Sequence, residues 1–341
     1  MQALVYHGPR QLQIESVADP QCGSGDVLIR VRASGICGSD LHGYLGISGR
    51  RIPPMIMGHE FAGEVVAVGA GVQYLSVGDR VAVQPMLFCG ECEMCRQGLT
   101  TRCAHRKMLG VMDVNGSMAE LISVPGRLVY KLPDSVDDIH GALLEPLAVA
   151  YSAVSRVVGA DARHTLVVGA GTIGLLVVQV LRAKFPQMAI LVSDTNVHRL
   201  GLAKEMGADH TLVAQADEVE TGVKTATSGE GVDLSFEAVG ISATVQQALG
   251  NLRSGGTCVW IGNSAKVIDL NMQDVVTREL TIRGTYAYTH AAFGEALKML
   301  ESGRLNLDPV VSRVCRLAEG PEMFEKLVLG TDDLVKVVLK I

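Results

Sequence analysis

The chain of 341 residues has no basic block, and its net charge is −6. That balance argues against nucleic acid or an anionic membrane as a partner. No apolar stretch is long enough to span a bilayer, because the longest ones are interrupted by Gly, Arg or Lys. The opening Met1-Gln-Ala-Leu-Val-Tyr-His-Gly-Pro-Arg10 lacks a basic stretch followed by an apolar one, so no signal peptide is expected and a cytoplasmic location is. Internal repeats and low-complexity tracts are also missing. What remains is an ordinary globular composition, 48% hydrophobic and 19% charged, in a chain long enough for two domains.

Cysteine is the residue type whose placement is least even. Of eight, four fall in one stretch, Cys89-Gly-Glu-Cys92-Glu-Met-Cys95 and then Cys103. Four thiolates satisfy Zn²⁺ tetrahedrally and leave no position open, which makes a structural site. Disulfides or free thiols are the blander alternatives, and a cytosolic protein rarely keeps disulfides. Cys22, Cys258 and Cys315 are isolated and read as small apolar fillers.

The first half alternates apolar and polar positions in short runs, as in Val27-Leu-Ile-Arg-Val31, Phe61 to Gly69 and Asp79 to Val83. With Pro and Gly between the runs, this predicts a mostly antiparallel β domain. Within it lie Gly35-Ile-Cys37-Gly-Ser39-Asp40-Leu-His42 and Gly58-His59-Glu60. Cys, His and carboxylate suit a zinc site that keeps a position open for substrate. A buried thiol with a hydrogen-bonded core histidine would explain them as well. Further on, Leu144-Glu145-Pro-Leu-Ala148 puts a carboxylate in an apolar setting, where either a metal or an arginine would relieve the cost of an unpaired charge.

From Thr165 the pattern changes. A β-branched run leads into Gly169-Ala-Gly171-Thr172-Ile173-Gly174, and Leu175 to Lys184 follows as an apolar helix. The strand Ala189 to Asp194 then ends in an acid. G-x-G-x-x-G alone is weak, but between a strand and a helix, with an acid about 20 residues on, it is the dinucleotide fingerprint. Gly169 allows the turn, Gly171 the approach of the pyrophosphate, and Gly174 close packing of helix and strand. Asp194 would accept from the adenosine ribose hydroxyls and disfavour a 2′-phosphate, so NAD is expected over NADP, with some NADP tolerance left open by Arg199. Strands and helices go on alternating through Val232 to Gly240, Gly256 to Gly262 and Thr281 to Tyr288, about six strands of one doubly wound parallel sheet. Its ligand-facing loops are expected at strand ends: Glu237 to Gly240 with Val239, Ile261-Gly262-Asn263, and Thr285-Tyr286-Ala287.

Together these motifs resemble the zinc-containing medium-chain dehydrogenase/reductase superfamily, in family order and over essentially the whole chain. Within it the sorbitol dehydrogenase-like branch of polyol dehydrogenases is the most similar. The resemblance implies an α/β chain: a GroES-like, mostly antiparallel catalytic domain over 1–150 and 289–341 with the four-cysteine lobe, and a Rossmann domain over 151–288. It makes Cys37, His59 and Glu60 ligands of a catalytic zinc, with Glu145 either a direct ligand or an outer partner. Asp40 would orient His59. Ser39 and His42 would pass the alcohol proton to solvent by way of the nicotinamide ribose, and Ile173, Asp194 and Arg199 fall on NAD contacts.

The implied activity is oxidation of a secondary alcohol, a polyol or sugar alcohol with or without phosphate, to a ketone by NAD. A threonine or 2,3-butanediol dehydrogenase shares nearly every motif, and a non-enzymatic dinucleotide sensor is the more distant alternative. The implied assembly is a homotetramer or a homodimer.

Two positions depart from the branch. Its substrate-binding tyrosine is replaced by Gly43, with Tyr44 next door, and its Arg-Tyr after the last strand of the sheet by Ala287-Tyr288. Both changes remove donors for polyol hydroxyls. Arg50-Arg51 could receive a phosphate or carboxylate on the substrate; a solvated loop is the more frequent role for such a pair.

Overall fold

A computed structural model describes residues 1–157 and 162–341. It contains two compact units: Met1–Glu145 with Thr289–Ser302 and Val311–Ile341, and Pro146–Tyr288 with Gly303–Val310. Among the described residues no helix is long and apolar enough to cross a membrane.

The first unit is built mostly from antiparallel strands, the exception being the parallel pairing of its last two, Val311–Arg316 and Lys336–Lys340. β1 (Gln2–Gly8) and β2 (Gln11–Ser16) form a hairpin, and β3 (Asp26–Gly35) runs into α1 (Gly38–Tyr44). β4 (Met55–Ile56) adds to β1, and β5 (Glu60–Val68) and β6 (Arg80–Val83) follow. The cysteine lobe lies between β7 (Met86–Leu87), the short α2 (Glu93–Arg96) and β8 (Lys107–Met108). β9 (Leu121–Pro125), β10 (Val129–Lys131) and α3 (Asp138–Ala142) complete this part.

Alternation decides which face is inside. Val27, Ile29 and Val31 of β3 are fully buried and pack with Val65, Val81 and Val124, while Arg30 points out. Each such side chain removed from water contributes about 1.5–3 kcal/mol.

α4 (Leu144–Ser155) precedes the second unit's sheet. β11 (His164–Val168), α5 (Thr172–Lys184), β12 (Ala189–Asp194), α6 (Val197–Glu205), β13 (His210–Val213) and α7 (Ala216–Ala226) make its first half. β14 (Val232–Glu237), α8 (Ser242–Gly250), β15 (Leu252–Trp260), α9 (Met272–Thr277) and β16 (Thr281–Gly284) make its second. All six strands are parallel, in the order β13-β12-β11-β14-β15-β16. The order reverses beside β11, and ligands of such sheets sit at that point, beyond the carboxyl ends of the strands. β14 stops at Glu237, short of the predicted Gly240, because Gly240 turns the chain with φ +89°.

The chain then returns to the first unit with α10 (His290–Glu301), β17 (Val311–Arg316), α11 (Gly320–Leu329) and β18 (Lys336–Lys340). β18 pairs with β3, so the last strand lies in the sheet that leads to α1.

Candidate active site

Cys37 stands at the junction of β3 and α1, as the residue that caps the helix. Asp40, three residues on, accepts a hydrogen bond from the Cys37 backbone N–H through Oδ2 at 3.1 Å, which fixes the bend. His59 and Glu60 arrive at the start of β5, whose Glu60 pairs in register with Gly35 of β3. Strand pairing thus brings two distant segments together. The ligand atoms of Cys37, His59 and Glu60 all lie within 4.8 Å of one another. His59 is 4% exposed and Glu60 1%.

Charge around this set is balanced from both sides. Asp40, fully buried, places Oδ1 3.5 Å from His59 Nδ1 and 2.7 Å from Arg51 Nη2. Burial would raise its pKa, but His59 and Arg51 hold the carboxyl far below its ordinary range. Burial would likewise lower the pKa of His59, and Asp40 and Cys37 more than reverse that. On the other side Lys336 of β18 donates to Glu60 Oε2 at 2.7 Å, to Oε1 at 2.9 Å and to the Ile36 carbonyl at 2.9 Å. Its side chain is 2% exposed, and Glu60 and Cys37 keep its pKa raised against the effect of burial.

Three sequence expectations meet these contacts. Arg51 is neither a solvated loop residue nor a free anion receptor. It is buried, and its guanidinium is engaged by Asp40, because a carboxylate wholly removed from water needs a counter-charge. Arg50 is exposed. Gly43 is small for a reason: a Cβ there would lie 2.4 Å from Arg51 Cγ. Tyr44 does not take over the missing phenol's place. It is 3% exposed, packs edge-on to Phe324 and donates its hydroxyl to Glu325. Burial and Glu325 push its pKa to about 12.

Ser39 and His42 lie one turn apart on α1, the first exposed and the second half-buried. Glu145 is buried in the first turn of α4, outside the three-residue set. Lys336 escaped the sequence reading. Its signal was there: one cation inside the apolar run Leu334-Val-Lys336-Val-Val-Leu339 must find a partner or distort the strand.

In the lobe, Cys89, Cys92, Cys95 and Cys103 form a second group with sulfur atoms within 4.8 Å of one another. The Sγ–Sγ separations of 3.9 Å for Cys89–Cys95 and 3.6 Å for Cys89–Cys103 are far beyond a covalent bond. All eight cysteines are free. Backbone N–H groups of Glu91 and Cys92 bring the Cys89 thiol down to about 6, while burial pushes Cys95 up to about 12. Four thiols at this spacing fit a single tetrahedral cation.

In the second unit Gly169 turns with φ +96°, and a Cβ on Gly174 would fall 1.8 Å from the Gly169 carbonyl oxygen. Above Gly171 nothing lies within 4 Å, so the backbone is open to a pyrophosphate where α5, led by Thr172 and Ile173, begins. Asp194, the last residue of β12, accepts from Ala170 N at 2.6 Å and from Asn196 N at 2.8 Å. It ties the Gly-rich turn to its own strand end. Arg199 sits in the first turn of α6. Val239, Ile261-Gly262-Asn263 and Thr285-Tyr286-Ala287 follow the carboxyl ends of the adjacent strands β14, β15 and β16. Ala287 takes φ +47°, and Tyr288 is completely buried.

Residues 23–134 match the family model described as alcohol dehydrogenase GroES-like domain, and residues 172–302 match zinc-binding dehydrogenase. Sorbitol dehydrogenase of Bacillus subtilis is 34% identical over 99% of this chain and 97% of its own length. L-threonine 3-dehydrogenase of Pyrococcus abyssi is also 34% identical, over 96% and 95%. A solved structure described as a short chain alcohol dehydrogenase from Escherichia coli CFT073, complexed with the cofactor NADH, superposes with a TM-score of 0.92 at 29% identity. It covers all of this chain and 99% of that one. The two family models, the two cation-sized ligand sets and the strand–turn–helix fingerprint agree: the chain belongs to the zinc-containing medium-chain dehydrogenase/reductase superfamily, with the sorbitol dehydrogenase-like members.

Proposed function

We propose that this chain oxidises a secondary alcohol, a polyol or sugar alcohol either free or phosphorylated, to a ketone with NAD as acceptor. The observation that carries the reading is a half-buried thiol with a buried imidazole and carboxylate, all within 4.8 Å of one another, in a chain that also holds the Gly169–Gly174 turn with its acid at Asp194. The donor set fits a divalent ion of the zinc type, and Lys336 donates to both carboxyl oxygens of the buried Glu60. Bound to Cys37, His59 and Glu60, zinc would supply the Lewis acidity that makes the alcohol proton easier to lose. NAD, bound over Gly169, Gly171 and Gly174, would take the hydride.

The remaining work falls to side chains. Asp40, with Oδ1 3.5 Å from His59 Nδ1, would orient the ring toward the ion. Ser39 and His42 carry the proton outward, on the accessible face of α1. Glu145 serves as a further ligand or as an outer partner of the ion. Asp194 selects NAD, with Thr172, Ile173 and Arg199 beside the turn and the three strand-end loops completing the nucleotide site. The four-cysteine lobe holds the structural zinc. The first unit is the catalytic domain and the second the cofactor domain, in a cytoplasmic homotetramer or homodimer.

A second reading, threonine or 2,3-butanediol oxidation, is supported by the 34% identity to L-threonine 3-dehydrogenase and by Gly43 and Ala287, which offer no donor for a long polyol. The test is a substrate panel of polyols, sugar-alcohol phosphates, 2,3-butanediol and threonine with NAD and with NADP. Ketone formation from a polyol or its phosphate is the expected result. Turnover of threonine or butanediol alone selects the second reading, and NADH binding with no turnover leaves a sensor.

A further inference from the structure

Glu237 opens one of the expected ligand-facing loops, yet its side chain takes no part in the proton or hydride transfer above and is completely buried at the end of β14. Its Oε1 accepts from Val239 N at 2.9 Å and from Gly240 N at 2.7 Å. Its own carbonyl oxygen accepts from Ile261 N at 2.9 Å and Gly262 N at 3.0 Å, on the neighbouring strand-end loop. One residue therefore engages four consecutive-pair N–H groups, two on each loop. Without it the Val239 and Gly240 donors would be left unpaired inside the protein, which native folds avoid.

The two loops also touch backbone to backbone along this seam. A Cβ on Gly262 would lie 2.2 Å from Gly240 N and 2.6 Å from Glu237 Oε2, and a Cβ on Gly240 would lie 2.3 Å from Asn263 N. Ala265 N and Ser264 Oγ add bonds to the Gly240 and Val239 carbonyls, at 2.8 and 2.6 Å. Oε2 itself is buried with no hydrogen-bond partner. A buried carboxylate oxygen without a partner lowers stability. The stabilising contacts of this side chain are therefore those of Oε1, both on the Val239–Gly240 turn.

We propose that Glu237 is a positioning residue for the dinucleotide: its Oε1 fixes the Val239–Gly240 turn against the Ile261–Asn263 loop, so that the two loops present one rigid wall to the cofactor. The inference rests on the NAD reading, since those loops hold its expected contacts Val239, Ile261, Gly262 and Asn263. Glu237 touches neither substrate nor the reacting atoms. Its effect is on cofactor affinity, through the loops.

The experiment compares NADH binding by the wild type, Glu237→Leu and Glu237→Gln, using nicotinamide fluorescence, with steady-state kinetics and melting temperature alongside. Glu237→Leu removes the acceptor and should weaken NADH about tenfold, in line with the loss of one or two backbone hydrogen bonds. The KM for NAD should rise with it, while kcat at saturating NAD and the KM for the alcohol stay put. Glu237→Gln keeps an Oε1 acceptor and should bind NADH as the wild type does. If Glu237→Leu binds NADH unchanged, or if kcat and both KM values move together with the melting temperature, the positioning role is wrong. Should Glu237→Leu not fold, Glu237→Asp decides: its retracted carboxylate should weaken NADH with little change in melting temperature, and wild-type affinity overturns the proposal. A wild type that itself fails to bind NADH sinks the dinucleotide reading, a result distinct from unaltered variants of a wild type that binds.

Discussion

In the second unit Ala170 and Asp194, the two ends of the nucleotide turn, are joined across 24 residues. In the first, Lys336 meets Glu60 across 276. The Gly169–Gly174 turn is local, made by one strand, one turn, one helix and the next strand. The metal-ligand site depends on long-range pairing of β3 with β5 and with β18, and each of its charges has a partner from elsewhere in the chain. A local site fails by losing a contact. A site drawn from the whole unit fails by leaving a charge buried alone.

Three substitutions test that contrast. The largest effect is expected from Cys37→Ser, which removes a thiolate from the metal set. Alcohol oxidation should fall roughly 10⁴-fold, several kcal/mol of Lewis-acid stabilisation converted at 1.36 kcal/mol per decade. NADH binding should be unaffected. Steady-state rates with metal analysis check this, and a variant that keeps its rate while losing its metal would break the division of labour between the units.

Next is Lys336→Met, which leaves Glu60 without its counter-charge. Removing one partner of a buried pair costs about 3–5 kcal/mol, so urea unfolding of the metal-free protein should shift by that amount. Added zinc should recover part of the loss, because a dication can replace the ammonium as partner to Glu60. A metal-free variant as stable as the wild type would show that the pair across 276 residues is not needed to keep Glu60 inside.

The smallest effect belongs to the local site. Asp194→Ala deletes the acceptor of Ala170 N and Asn196 N, hydrogen bonds to a charged group that are worth about 1.5–3 kcal/mol each at most. NADH affinity should drop by about one to two decades, the span of that range for one bond, with metal content unchanged and the preference for NAD over NADP reduced. Titration with both nucleotides measures it, and an unchanged preference would remove Asp194 from the nucleotide site.

The same contrast explains what could be read from the amino acids alone. β11, α5 and β12 were legible because periodicity, glycine placement and the closing acid all lie within one window. Cys37, His59 and Glu60 were legible as residue types, and strand pairing brings them together. Arg51 looks like surface in the sequence because Arg50-Arg51-Ile-Pro-Pro54 is polar and proline-rich, and nothing nearby reveals that Asp40 is buried against it. Lys336 was passed over for the same reason, its partner being supplied by topology. Glu237 ended a strand that was drawn too long, through Gly240, which hid the turn its side chain holds.

The contact between Gly43 and Arg51 Cγ has a consequence for any attempt to give this chain the phenol that the sorbitol dehydrogenase branch carries after its relay histidine. A tyrosine installed first would press its Cβ against the arginine stem, which must then shift. The arginine cannot be shortened first without releasing the Asp40 carboxylate it neutralises. A change at either position therefore calls for a compensating change at the other.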